Sequence, residues 1–159
     1  MASSHVHNMW KYTQIFPAAY LARKESGGIE EYLDLYNVSS VFAHEAEWIE
    51  YFSHRSEQYE KVWHGGKFDL FLRRGYSSNY LLEGDASILE VMQNGVRLKM
   101  NSQSAVIKFT YYSFLEAPPC KVTPFEVSES IKFVKLAECP IGSEVTLKAG
   151  SVLRRIGLR

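Results

Sequence analysis

Groups able to move protons or hold a metal are densest around residues 44–47, where His44, Glu45 and Glu47 bring an imidazole and two carboxylates together. On a helix, a second ligand sharing the face of His44 has to stand three or four residues on. Those positions hold Glu47 and Trp48, so the HExxH zinc pattern is absent. His54 and His64 follow at ten-residue steps, each turning about 80° on a helical wheel, and the three rings form no row. His5 and His7 alternate as a chelating pair in an extended segment would, but at a terminus, where an ordinary solvated tail explains them. No metal site is expected.

Glu45 has the most promising surroundings, because a helical reading projects it into the apolar stripe of Phe42, Trp48, Ile49 and Phe52. A carboxylate there must be paired or protonated, and burial raises its pKa, which makes Glu45 the candidate general acid or base. Glu45, Trp48, Phe52 and Tyr59 would then line a pocket between helix and sheet. The competing reading places Glu45 in the first helical turn, where the helix dipole favours a carboxylate that reaches water.

Cys120 and Cys139 have no local catalytic context, since no histidine follows His64. Two cysteines are too few for a disulfide framework; one bridge is compatible with the composition, but a reducing compartment is the simpler expectation. There is no G-x-S-x-G elbow, and the glycine pairs Gly27-Gly28 and Gly65-Gly66 do not fall into a phosphate-loop or dinucleotide spacing, so no cofactor is expected.

Two places combine base and ring as nucleic-acid binding requires: Arg73, Arg74 and Tyr76, and Lys108 with Tyr112. Overall charge does not help them, because 18 basic and 18 acidic residues cancel and leave no long-range field to gather a polyanion. The basic Arg154, Arg155 and Arg159 read as a solvated terminus. Aromatic residues reach 14 %, with ten tyrosines, a supply that suits a core with wet edges or an interaction surface.

The elements that must position these groups follow from periodicity. A chain of 159 residues suits one domain, with residues 1–28 an arm or short helix, 29–64 helical and 66–159 β-rich. Residues 29–36 repeat at helical spacing; Ser39 or Ser40 would cap a longer helix over 41–63, ended by Gly65-Gly66. Beyond Gly66 the period falls to two. Strands are expected over 67–73, 80–83, 87–93, 96–101, 105–112 and 126–136, with Asn94-Gly95 closing a hairpin, Ser102-Gln103 a further turn, and Ala117-Pro118-Pro119 a loop. A last hairpin would pair 145–147 with 152–156 around Ala149-Gly150.

The fold expected is therefore α+β, a helical N-terminal third packed on an antiparallel, meander-like and partly closed sheet. The function expected first is a non-enzymatic interaction or assembly domain, binding a protein partner or a second copy of itself through an aromatic-rich surface. The alternatives are a small-molecule binding protein or cofactor-free enzyme using the Glu45 pocket, and a nucleic-acid-binding domain. No stretch of about 18 apolar residues or basic-then-apolar leader is present, so no membrane partner is expected and the cytoplasm, or a host-cell interior for a viral chain, is the expected location.

Overall fold

The computed structural model describes residues 16–93, 95–128 and 131–150, and the chain divides between Val38 and Ser39 into two compact units. In the first, Pro17 precedes a short helix α1 (Ala18–Leu21), a 3-10 turn spans Lys24–Ser26, and α2 covers Gly28–Leu35. Gly28 is fixed by proximity: a Cβ there would fall 2.4 Å from the Tyr20 carbonyl oxygen. The helix expected over 29–36 is present, with Ile29 and Leu33 buried one turn apart and Tyr32 meeting Phe16 and Tyr20 edge-on at 5.3 and 5.2 Å.

The second unit overturns the expected α+β architecture. The long helix over 41–63 does not form; the segment is strand, helix, strand: β1 (Ser40–Ala43), α3 (Ala46–His54) and β2 (Tyr59–Gly65). The helical N-terminal third packed on a sheet is thus absent, and the chain is mostly β, with curled antiparallel sheets. The physical reason lies in pairing that a helical wheel cannot see. β1 and β2 flank β3 (Phe68–Arg73) in a three-stranded sheet ordered β1-β3-β2, which satisfies the backbone groups of residues that also fit a helical stripe. Only Trp48, Ile49 and Phe52 keep the helical repeat, within the nine residues of α3. Gly65-Gly66 is no helix stop: Gly65 pairs with Phe68, and Gly66, at φ +61°, supplies the positive φ that a tight hairpin turn needs at its first central position.

The remaining strands are β4 (Leu81–Met92), β5 (Gly95–Thr110), β6 (Leu115–Glu116), β7 (Lys121–Ser128), β8 (Ile131–Ala137) and β9 (Glu144–Ala149). They form a sheet ordered β6-β9-β5-β8-β7, with β4 along the other side of β5. The hairpin expected between 87–93 and 96–101 is present, Met92 pairing with Gly95, while Asn94 lies outside the described residues. Ser102-Gln103 does not end a strand. β5 runs on through it, pairing with β9 over residues 95–99 and with β8 over 105–110, and bends between. Gly84 allows that bend, since a Cβ on it would fall 2.3 Å from the Ser104 carbonyl oxygen. The Ser102 hydroxyl accepts the Asp85 N–H at 3.1 Å, and Asn101 donates to Asp85 Oδ1 at 3.0 Å.

Val96, Leu98 and Met100 alternate inward from β5 and are fully buried with Val134, Leu136, Val145 and Leu147. Pro124, which cannot donate to a ladder, sits in the edge strand β7. Cys120 and Cys139 are bridged, 19 residues apart, beside the Lys121–Ala137 pair at the open end of the β7–β8 hairpin. The cysteines therefore no longer argue for a reducing compartment. No helix among the described residues is long and apolar enough to cross a membrane. His5, His7, Arg154, Arg155, Arg159 and the expected strand over 152–156 lie outside the described residues.

Candidate functional site

Residues directly opposite one another across an antiparallel ladder share a face of the sheet. In the three-stranded sheet Val41, Phe71 and Lys61 form one such row, and Ala43, Asp69 and His64 another. These rows make the covered face. Phe71 and Tyr59 are buried there, and Phe52 from α3 meets them at ring distances of 5.6 and 4.8 Å.

The intervening row is Phe42, Leu70 and Trp63, with Leu72 and Phe68 to either side on β3. This second face carries an apolar slab that stays in water: Phe42 is 59 % exposed, Trp63 47 % and Leu72 42 %. The Phe42 ring stacks on Phe68 at 5.1 Å, 6° from parallel, and on Trp63 at 5.8 Å. Trp63 also folds along its own strand over Gly65, because a Cβ on that glycine would fall 2.2 Å from the indole. The glycine is what lets the indole lie flat. At the hairpin end, the His44 ring lies 5.6 Å from Phe68 and the Lys67 ammonium 5.5 Å from the same ring.

Asp69, on the covered face, is the one charged residue buried among those described, at 2 % exposure. Its two oxygens are held separately: Oδ1 lies 2.5 Å from His64 Nδ1, and Oδ2 accepts from the Lys61 ammonium at 3.2 Å. The His64 hydrogen bond, and after it the Lys61 hydrogen bond and charge, pull the carboxyl below its ordinary pKa despite burial. With the carboxylate ionised, Nδ1 must be the protonated nitrogen, which leaves Nε2 of a 65 % exposed side chain facing water.

The residues singled out from sequence are distributed differently from the expectation. Trp48, Phe52 and Tyr59 do come together, Trp48 stacking on Phe52 at 6.0 Å, but as packed rings with Phe52 and Tyr59 fully buried. Glu45 stands at the N-cap of α3, half-buried; its carbonyl accepts the Trp48 and Ile49 N–H groups at 3.0 Å each. Arg73, Arg74 and Tyr76 lie at the end of β3. Arg74 binds Glu60 at 3.2 Å and donates to the Ser56 carbonyl at 3.1 Å, while the Arg73 guanidinium lies 5.8 Å from the Tyr76 ring. Lys108 is half-buried in β5 of the other sheet, and Tyr112, two residues past the end of that strand, stacks on Phe114 at 5.2 Å. Among the described residues no three His, Cys, Asp or Glu side chains converge to hold a metal.

The helical reading places Phe42 and Trp63 on a buried stripe, and neither Leu72 nor Asp69 stands out in the sequence. The signal available was Gly65-Gly66 followed at once by the alternating run Phe68–Arg73, which fits a hairpin turn into a strand. No protein-family model, curated protein or solved structure matches the chain, so the class is set by its own geometry: a mostly β protein whose described three-stranded sheet leaves Phe42, Trp63 and Leu72 exposed on one face.

Proposed function

We propose that the chain is a non-enzymatic interaction module that docks a protein surface on the open face of its three-stranded sheet. The observation that carries this is Phe42, a phenylalanine 59 % exposed yet stacked against Phe68 and Trp63, with Leu72 beside it. Single exposed apolar residues need no explanation; a contiguous group on one face does. Tryptophan and its aromatic neighbours are also the residues that concentrate binding energy in small interface centres. The mode of stacking favours protein over nucleic acid, since rings whose faces meet one another offer mainly edges to a visitor, whereas base stacking needs a free face. Arg74, which phosphate binding would want, is already held by Glu60.

A photo-crosslinking amino acid at Leu72 tests this. Irradiation in an extract of the source organism should give protein adducts, identified by mass spectrometry, that disappear in the Phe42→Ser background. Adducts to nucleic acid, or protein adducts indifferent to Phe42, would refute the proposal.

A further inference from the structure

The face ends at β1, and the edge of that strand differs from the other edges of the molecule. A sheet edge invites another strand unless something blunts it: charge, proline, a bulge or extreme shortness. β2 has a bulge between Lys61 and Trp63, β4 slips register three times along its length, β7 contains Pro124, and β6 is two residues long. β1, with the sequence Ser-Val-Phe-Ala, has no charge, no proline and unbroken register against β3.

The direction of its backbone groups follows from one bond. Arg73 N–H donates to the Ser39 carbonyl at 2.9 Å, so the ladder bonds toward β3 come from Ser39 and, by alternation, Val41 and Ala43. Those of Ser40 and Phe42 point to the side where no described strand pairs, and the alternation carried one residue past the strand gives His44 the same sense. The pair Gln58–Arg74 on the opposite side of β3, bonded at 2.7 Å, falls on the complementary set, as the same alternation requires.

We propose that the occupant is a second copy of this chain, which pairs β1 with β1 antiparallel about a two-fold axis at Phe42; the proposal rests on the docking face described above and names what fills it. An outward N–H and an outward C=O on one residue are complementary to the same two groups on its symmetry mate, and of the two-fold positions along β1 the one at Phe42 centres the pairing on the exposed ring and matches Phe42 with Phe42 and Ser40 with His44. With Phe42 opposite Phe42, Ser40 comes opposite His44 of the second copy. The two slabs then continue one another, because opposed residues share a face. Area argues for both components acting together. The exposed parts of Phe42, Trp63 and Leu72 amount to roughly 300 Å² per copy, against about 800 Å² for a stable standard interface. The slab alone is too small, and the strand pairing supplies directional bonds and register, giving a weak, concentration-dependent dimer.

Register is the sharpest test. In this pairing the Cα atoms of residues 40 and 44 of opposite copies stand about 5.5 Å apart, within disulfide range. The native cysteines are already bridged to each other and do not interfere. The double variant Ser40→Cys with His44→Cys should therefore oxidise to a covalent dimer, while either single variant stays monomeric on a non-reducing gel. Sedimentation of the unaltered chain should show mass doubling with concentration, and Ser40→Pro, which removes an outward donor only, should weaken that at least tenfold. No covalent dimer from the double variant, or dimers as readily from the singles, overturns the pairing, as does a monomeric mass up to about millimolar. Monomeric behaviour together with Phe42-dependent adducts to another protein at Leu72 would sink the self-pairing alone; loss of both would sink the docking face too.

Discussion

The six-stranded sheet curls until its aliphatic side chains meet, and Val96, Leu98 and Met100 lose all contact with water; the three-stranded sheet, covered by the nine-residue α3 on one side, leaves Phe42 and Trp63 half in solvent. The two regions also differ in what they bury. One is closed by aliphatic packing and a covalent staple, the other by rings and a single ionised carboxylate. Curvature brings the aliphatic inner face of the large sheet onto itself and leaves a largely polar face outside, whereas the small sheet with one helix leaves an aromatic face in water. The first region holds the larger aliphatic core, and the second keeps the exposed aromatic face on which the proposed docking depends.

Substitutions should separate the two roles. Leu98→Ala, in the closed core, is expected to cost about 4 kcal/mol, read from the shift in urea midpoint. An effect under about 1 kcal/mol would show that this core is loosely packed. Replacing both Cys120 and Cys139 by alanine should cost about 3 kcal/mol, the loop-closure value for a separation near 20 residues, and leave the open face of the three-stranded sheet untouched. Asp69→Asn should act through pH. Because the native carboxyl titrates below its ordinary value, its contribution is present above the unfolded pKa of about 3.9 and is lost as pH falls through the native value. The wild type should thus lose urea resistance below about pH 4 more steeply than the variant; equal slopes would mean that the His64 and Lys61 contacts do not hold in solution. Phe42→Ser should be the mildest, within about 0.5 kcal/mol in the urea midpoint, while abolishing crosslinking from Leu72. A large stability loss there would make the slab part of the core and erase the contrast between the two sheets.

The two regions were also unequally legible. In the large sheet, alternation and local turn chemistry agree, so the hairpin through Gly95 can be read from neighbours in sequence, as can β3 of the small sheet. The bend in β5 was hidden because Ser102-Gln103 resembles a turn, whereas the strand continues through pairing with β8 and β9, whose residues lie far along the chain. Between Ser40 and Gly65, local signals mislead. Val41, Phe42, Tyr59 and Trp63 fit one side of a helix as well as they fit strands, and only their pairing with β3 decides between the two. That error moved the candidate site. A helical Phe42 and Trp63 face a core, a paired Phe42 and Trp63 face water, and the Glu45 pocket was drawn around rings that pack against one another. Asp69 gave no sign, since a lone aspartate in an alternating strand usually marks a solvated face.

β5 has a consequence for the order in which the chain acquires structure. Its first half waits for Glu144–Ala149 before gaining a second neighbour, whereas every pairing of the small sheet lies between residues 40 and 73. During synthesis the small sheet can assemble while the ribosome is still translating the distal strands, but the large one stays incomplete until Glu144–Ala149 have emerged. Pulse-labelled amide exchange during refolding should accordingly protect Phe71 before Leu98; the reverse order would mean that long-range closure, costly as it is in chain entropy, comes first.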